Sequence, residues 1–247
     1  MPKTSRQVKR VQRVRWLALG GVGAFAAVVV AIGFYHSLDV APGEYREGEH
    51  YYALVGGTSD PDAPIVVTEF FSYGCIHCRN FDPQIKPWAA NLPEGTELVL
   101  SPVTFNATWR MYAQMYYMAK ELGVLDRAHG RLFADVHDRG RTITTQAQIR
   151  DFFVGLGVAR DRVSRSLRSP VVARKLNNAE ALARTVGVRS VPTLMVANSY
   201  LIQVGDVGRL QALAIAEHLI EKETTARTAS LSEPTPTEER AESVESE

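Results

Sequence analysis

Two cysteines, Cys75 and Cys78, constrain the fold of this chain more than any other feature of its sequence. They are its only cysteines, and two residues separate them. An apolar, β-rich run at residues 65–71 comes before them, and a segment able to form a helix follows. One pair of cysteines cannot build a disulfide scaffold, and a chain of 247 residues does not need one. The pattern therefore predicts a reactive dithiol at the start of a helix.

The position of each cysteine predicts its role in disulfide exchange. A thiolate is the attacking species, and a helix N-terminus stabilises it because unpaired N–H groups and the aligned peptide dipoles point at the sulfur. Cys75 is therefore predicted to be the exposed attacking sulfur, and Cys78, about one turn inside, the buried resolving one. His77 adds a donor or positive charge that favours the reduced form and makes the disulfide an oxidant. Val191-Pro192, directly before an apolar strand, is a candidate cis-proline facing the dithiol.

The charge distribution argues against several classes of function. Cations crowd residues 1–15 and acids the last fifteen residues, so no folded basic face for nucleic acid is indicated. A closed zinc site usually takes four Cys or His ligands, whereas only His77 accompanies the cysteines. We expect no metal and no cofactor, and we interpret His129 and His137 as ordinary surface or core histidines. With 45% hydrophobic residues, the chain can form one large domain with tails, or at most two small domains.

The N-terminal region predicts a membrane anchor. Residues 1–15 form a basic cytoplasmic segment, and the uncharged run from Trp16 to Tyr35 has the length of a membrane-spanning helix, about 20 residues. A cleaved signal peptide is the alternative, which would leave a soluble periplasmic protein, but its apolar part is usually shorter and ends at a small-residue cleavage site. The positive-inside rule places everything after Tyr35 across the membrane. In a bacterium that compartment is the oxidising periplasm.

Periodicity and turn chemistry predict the remaining organisation. A linker spans residues 36–50, the folded domain residues 51–222 and a disordered acidic tail residues 223–247. The predicted strands are 51–55, 65–71 (central in its sheet), 97–103, 188–196 and 201–204, the last two forming a hairpin. The predicted helices are 79–90, a helical block at 107–186 containing 125–136, 145–155, 160–167 and 171–186, and a last helix at 207–221. A capping box is predicted at Thr145.

Four segments of the sequence resemble the DsbA family of periplasmic thiol:disulfide interchange proteins. They are TEFFSYGCIHC (68–78), LPEG (92–95), AQIRD (147–151) and VRSVP (188–192). The resemblance spans residues 43–221 and implies an α/β, thioredoxin-like fold with an inserted helical domain, here preceded by one transmembrane helix. It implies an enzyme that donates its disulfide to reduced exported proteins and is reoxidised by a quinone-linked membrane partner of the DsbB type. We expect a monomer.

The resemblance also assigns roles to individual residues. Cys75 matches the nucleophile, Cys78 the resolving cysteine, His77 the tuning histidine, and Val191 and Pro192 the substrate-facing cis-proline loop. Glu69 matches a buried acid beneath the dithiol, where it would pass protons to and from Cys78 through water. The alternative for Glu69 is a solvent-exposed carboxylate at the edge of a strand.

Two positions depart from the family pattern. Ile76 stands where proline is usual, which puts the redox poise in question. Leu100 replaces a frequent lysine partner of the buried acid, so Glu69 is expected to have another partner or a raised pKa. Two other functions remain open from the sequence: a reductase or isomerase of the same compartment, and a membrane-anchored chaperone in which the cysteines are incidental.

Overall fold

The computed structural model describes residues 45–57 and 63–232. Within these residues the chain forms a mixed five-stranded sheet in the order β1-β5-β4-β2-β3. The strands are β1 (Tyr52–Ala53), β2 (Ile65–Phe71), β3 (Thr96–Pro102), β4 (Thr193–Val196) and β5 (Tyr200–Gln203). The helices are α1 (Ile76–Ala89), α2 (Ala107–Leu122), α3 (Leu125–Phe133), α4 (Gln146–Val154), α5 (Arg160–Leu167), α6 (Pro170–Thr185), α7 (Val204–Val207) and α8 (Arg209–Ser232). A π-helical turn, Ala134–Asp138, continues α3.

Strand β2 lies inside the sheet, as its apolar sequence predicts. It pairs in parallel with β3 and antiparallel with β4, and all of its residues except Val66 are buried. Successive side chains of a strand point to opposite faces. Val67 therefore faces α1 and α8, whereas Phe70 packs on the opposite face with Met195 and Ala183. Glu69 shares the face of Val67, beneath α1.

The helical block between β3 and β4 is confirmed, with no strand inside it. Its helices enclose an aromatic core that reaches the cysteines, including Phe71, Tyr73, Tyr112, Tyr116, Phe133 and Phe153. The predicted capping box is also present: Thr145 caps α4, and its side chain and that of Gln148 bond reciprocally to backbone N–H groups. These helices form where the sequence predicts them because their apolar periodicity and their capping residues indicate the same bounds.

The sequence prediction was wrong about residues 188–192, which do not extend β4. The strand begins at Thr193, after the cis peptide bond between Val191 and Pro192. Proline has no N–H to donate to a strand ladder, so pairing starts only after it. The hairpin to β5 turns at Ala197 and Asn198, both with positive φ, as a tight turn matching the strand twist requires.

The last helix is longer than predicted. Helix α8 continues to Ser232, so residues 223–232 are helical rather than part of a disordered tail. Glu223 is buried, and Arg227 donates a hydrogen bond of 2.6 Å to the carbonyl of Ala63. The Nζ of Lys222 lies 4.8 Å from the ring centroid of Tyr200. These contacts with the sheet region stabilise a stretch whose composition alone does not predict order.

The N-terminal predictions lie mostly outside the described residues. The basic segment, the predicted anchor from Trp16 to Tyr35 and the first part of the linker belong to residues 1–44, and the acidic tail beyond Ser232 is likewise outside. None of the helices within residues 45–57 and 63–232 combines the length and hydrophobicity that crossing a membrane requires. The described end of the linker packs on α8, where the rings of Tyr45 and His218 lie 5.4 Å apart.

Candidate active site

Cys75 caps the N-terminus of α1, which begins at Ile76 rather than at the predicted Arg79. Its backbone is extended (φ −99°, ψ 117°), and its Sγ accepts a hydrogen bond from the N–H of Cys78 at 3.4 Å. Cys75 is 7% exposed and Cys78 1%. Cys75 is thus the more accessible sulfur, but it is nearly buried, so the prediction of an exposed thiol was wrong in degree.

The surroundings of the two thiols shift their pKa values in opposite directions. A hydrogen bond from the Cys78 thiol is the largest cause that lowers the pKa of Cys75 from 9.0 to about 6, against an opposing effect of burial. The backbone N–H groups of Cys78 and His77 lower this pKa further, and the His77 ring has a smaller electrostatic effect. Burial, and then the hydrogen bond donated to Cys75, raise the pKa of Cys78 far above its ordinary value. Near neutral pH, Cys75 is therefore the thiolate and Cys78 the thiol.

The loop before β4 reaches the dithiol across the fold. The carbonyl oxygen of Val191 lies 3.4 Å from the Sγ of Cys75, so it accepts the hydrogen when Cys75 is a thiol. Val191 and Pro192 also line a groove of about 810 Å³. His77 and Gln84 from α1, together with residues 204–211, complete this groove. The side-chain oxygen Oε1 of Gln84 is buried and has no hydrogen-bond partner within the described part of the chain.

Glu69 is buried beneath the dithiol helix. It is 4% exposed, and its partners in register are Leu100 on β3 and Leu194 on β4. Burial, followed by the nearby charge of Asp82, raises the pKa of Glu69 from 4.5 to about 8. The exposed alternative for Glu69 was wrong, and the expectation of a raised pKa in the absence of a paired lysine is confirmed.

The sequence interpretation missed a hydrogen-bonded chain beside Glu69. The Oη of Tyr73 lies 2.8 Å from Nδ1 of His129, and Nε2 of His129 lies 2.8 Å from Oδ1 of Asp82. Lys86 donates to Oδ2 of Asp82 at 2.8 Å. Asp82 follows Cys78 by four residues on α1, so helical periodicity places it near the site. Nothing local marks His129, which lies 47 residues from Asp82 in sequence.

A second missed contact shapes the loop that presents Cys75. A Cβ on Gly74 would lie 2.8 Å from Cδ1 of Trp109, so only glycine lets the indole pack this closely. Phe105 stacks on Trp109 with ring centroids 5.7 Å apart and is 47% exposed. In addition, Nε2 of His137 lies 2.8 Å from the carbonyl oxygen of Tyr73. Residues from the helical block therefore contact the loop at Gly74 and at Tyr73.

Comparison with known proteins gives a consistent set of relatives. A family model described as a DsbA-like thioredoxin domain matches residues 94–216. The thiol:disulfide interchange protein DsbA of Pseudomonas aeruginosa is 32% identical over 186 residues, covering 74% of this chain and 88% of that protein. DsbA of Azotobacter vinelandii is 29% identical over 218 residues, covering 87% of this chain and 100% of that protein.

Solved structures show the same similarity in three dimensions. The crystal structure of Pseudomonas aeruginosa DsbA matches with a TM-score of 0.71 and 30% identity, over 75% of this chain and 97% of that one. The crystal structure of the oxidoreductase DsbA from Xylella fastidiosa matches with a TM-score of 0.69 and 28% identity, over 74% of this chain and 100% of that one. Each match thus spans about three quarters of this chain and nearly all of the solved structure.

Proposed function

The chain belongs to the DsbA family of thiol:disulfide interchange proteins. We propose that it is anchored in a membrane and oxidises dithiols in proteins exported across that membrane. Its fold is the thioredoxin-like fold of that family, and its activity is that of a protein-disulfide oxidoreductase. The direction of exchange, the substrates and the compartment are the proposed part. The CxxC pair, Cys75 and Cys78, is the reacting group.

One observation carries the direction of the reaction: the reduced pair stabilises the Cys75 thiolate. Cys78 donates to the Sγ of Cys75 through both its thiol and its N–H group. The thiol donor exists only when the disulfide is open, and the N–H group bonds a thiolate more strongly than an uncharged sulfur. Whatever stabilises the reduced form makes the disulfide a stronger oxidant. The Cys75–Cys78 disulfide is therefore expected to accept electrons from ordinary protein thiols.

The exchange proceeds in two displacements. A substrate thiolate attacks the Sγ of Cys75, the Cys75–Cys78 bond breaks, and Cys78 leaves as a thiolate that takes up a proton. A second substrate thiolate then attacks the substrate sulfur of the mixed disulfide, and Cys75 leaves as the stabilised thiolate. The substrate gains a disulfide and loses two electrons, which the Cys75–Cys78 pair receives.

Glu69 is the group placed to supply the proton to Cys78. The strong rise in the pKa of Cys78 makes its thiolate costly in this buried position, so a nearby proton donor lowers the barrier to its departure. Glu69 lies on the sheet face beneath α1 and, with a pKa of about 8, holds a proton at neutral pH. It returns to the protonated state by exchange with water.

The groove beside Cys75 is the proposed binding site for the substrate chain. Val191, Pro192 and His77 line the groove, and the carbonyl oxygen of Val191 lies 3.4 Å from the reacting sulfur. Residues of α7 and the start of α8 also line it. An extended, unfolded segment of a substrate would place its cysteine at Cys75 while its neighbouring residues occupy the groove.

The proposed location rests on the sequence before the described domain. The basic residues 1–15 and the apolar run from Trp16 to Tyr35 support a single-pass anchor with a cytoplasmic N-terminus and a periplasmic catalytic domain. An enzyme that donates disulfides must itself be reoxidised. A quinone-linked membrane partner of the DsbB type fits that requirement, and the enzyme is proposed to act as a monomer.

The proposal is tested by trapping substrates in cells with Cys78→Ala. Without the resolving thiol, mixed disulfides between Cys75 and exported proteins should accumulate and disappear on reduction. The matched control is Cys75→Ala, which retains Cys78 and should trap none. If active secretion yields no Cys75-linked species, exchange with exported proteins is ruled out, and identification of trapped species gives the substrate range.

A further inference from the structure

Two acidic residues near the dithiol have unequal surroundings: Glu69 lies on the sheet beneath α1, and Asp82 belongs to α1 itself. Both oxygens of Asp82 receive hydrogen bonds, Oδ1 from Nε2 of His129 and Oδ2 from the ammonium of Lys86, each at 2.8 Å. Its side chain also keeps 18% exposure. Glu69 is nearly buried and has Leu100 and Leu194 beside it in the sheet. The surroundings of Asp82 therefore favour its ionised form, whereas those of Glu69 favour its protonated form.

His129 is the buried residue that links Asp82 to the loop before Cys75. It belongs to α3, in the helical block, and is 4% exposed. A carboxylate can only accept, so Nε2 of His129 carries the hydrogen in its bond to Asp82. In the neutral ring, Nδ1 then accepts from the hydroxyl of Tyr73. One side chain thus satisfies a buried phenol and a carboxylate at the same time.

We propose that His129 and Asp82 are positioning residues for the exchange reaction: His129 holds Asp82, on the dithiol helix, as a carboxylate, and the Asp82 charge keeps the proton on Glu69. This inference deepens the exchange cycle proposed above, in which Glu69 supplies a proton to Cys78. Two neighbouring carboxyl groups with poor access to water do not both ionise readily. The hydrogen bonds around Asp82 decide which of the two stays charged.

The electrostatics of the site agree with this division. Burial alone would raise the pKa of Asp82, but the hydrogen bonds from His129 and Lys86 outweigh it and lower this pKa. After burial, Asp82 is the next largest cause of the raised pKa of Glu69. The other ionisable groups that act on or near Glu69 are Cys75 at the N-cap of α1, Lys86 and Cys78 from α1, Tyr116 from α2, and Tyr73 from the loop.

The test is a carbon-13 NMR titration of the side-chain carboxyl carbons in the reduced full-length protein. Glu69→Gln identifies the Glu69 resonance, which should titrate at about pH 8. Asp82→Asn removes the neighbouring charge at constant shape, so the Glu69 midpoint should fall. His129→Leu removes one donor from the Asp82 carboxylate, so the proton affinity of Asp82 should rise by about tenfold or more.

Two further variants separate electrostatics from packing. His129→Gln offers an amide donor to Asp82, so its Asp82 midpoint should lie between those of the parent and of His129→Leu. His137→Gln changes another histidine of the helical block, which bonds the Tyr73 carbonyl rather than a carboxylate, and should leave both midpoints in place. Asp82→Asn changes a partly exposed group, so it tests the inference even if His129→Leu fails to fold.

An unchanged Glu69 midpoint in Asp82→Asn, or an unchanged Asp82 midpoint in folded His129→Leu, overturns the inference. The titration needs no substrate and no oxidant. Its outcome is therefore independent of whether the protein acts as an oxidase, and failure of one proposal can be told from failure of the other.

Discussion

Cys75 receives its main stabilisation from Cys78, its partner in the disulfide, rather than from His77. The sequence predicts stabilisation by the N–H groups of the helix N-terminus, with His77 as an additional donor or positive charge. The structure adds the thiol of Cys78 as a donor, and this donor and the N–H of Cys78 each affect the pKa of Cys75 more than the His77 ring does. The reactivity of Cys75 therefore depends on the geometry of the first helical turn.

Substitution of these two residues should rank their effects. Cys78→Ala removes the thiol donor and should raise the pKa of Cys75 from about 6 towards its ordinary value of 9.0. His77→Ala should raise it by a smaller amount. The ultraviolet absorbance of the thiolate, followed against pH in the reduced proteins, measures both. A larger shift in His77→Ala than in Cys78→Ala contradicts the ranking.

Glu69 should make the stability of the protein depend on pH. In the unfolded chain its carboxyl group ionises near pH 4.5, whereas in the folded protein it stays protonated up to about pH 8. The unfolded state therefore binds fewer protons in this window, and the free energy of unfolding falls as pH rises through it. Glu69→Gln cannot lose stability in this way. Its free energy of unfolding should therefore rise relative to that of the parent by a few kcal/mol over this pH range, since one pKa unit is worth about 1.4 kcal/mol.

Denaturant unfolding of the oxidised proteins at several pH values measures the effect without titration of the thiols. The informative quantity is the difference between parent and variant as a function of pH, because any constant cost of the amide cancels. A difference that does not change between pH 5 and 8 would mean that Glu69 ionises normally in the folded protein.

At the scale of elements, the active-site loop is held by the helical block as well as by its own helix. Trp109 of α2 packs on Gly74, the residue before Cys75. His129 of α3 bonds Tyr73, and His137 of the π-helical turn bonds the Tyr73 carbonyl. The insertion therefore fixes the position of the nucleophile in addition to covering the sheet.

Gly74→Ala should test this packing. The added methyl group would overlap Trp109, so the indole or the loop must move, at a cost of about 1–3 kcal/mol in the free energy of unfolding. Gly130→Ala is the matched control: this glycine lies in α3 and a Cβ there meets nothing within 4 Å. It should stabilise the protein by about 0.5–1 kcal/mol. Equal effects of the two substitutions in denaturant unfolding would contradict the packing of Trp109 on Gly74.

The sequence predicts the bounds of a helix or strand well where the hydrophobic periodicity and the capping residues agree. It predicts them less well where long-range contacts determine where the element ends. Strand β2 and helix α5 have the predicted bounds because their residue patterns are self-sufficient. The end of α8 was misplaced because its order depends on contacts such as that of Arg227 with Ala63, 164 residues away. Such a contact cannot be predicted from the local composition of the helix.

The same distinction applies to the site. Cys75, Cys78, Val191 and Pro192 are found from sequence because short motifs mark them, and the fold brings Val191 to the Sγ of Cys75. The partnership of His129 with Tyr73 joins residues 56 positions apart and has no motif. Only the folded structure shows that His129, which no local signal marks, lies 2.8 Å from the carboxyl group of Asp82 on the dithiol helix.

For the whole molecule, the central claim is that this fold stabilises the reduced dithiol and so makes its disulfide an oxidant. The reduced Cys75 thiolate has donors at the helix N-terminus, and the groove beside it offers a place for a substrate chain. A reductase of the same fold would need a disulfide that is harder to reduce than those of its substrates, whereas an isomerase would need the pair held reduced. The equilibrium constant of the dithiol therefore separates an oxidase from a reductase directly.

The measurement is the equilibrium of the purified full-length protein with defined ratios of reduced and oxidised glutathione, with the fraction of Cys75–Cys78 disulfide determined by thiol alkylation after acid quenching. Because the thiolate of Cys75 is stabilised only in the reduced form, the pair should remain reduced even in mixtures that contain substantial oxidised glutathione. A Cys75–Cys78 disulfide that is harder to reduce than that of glutathione would contradict the central claim.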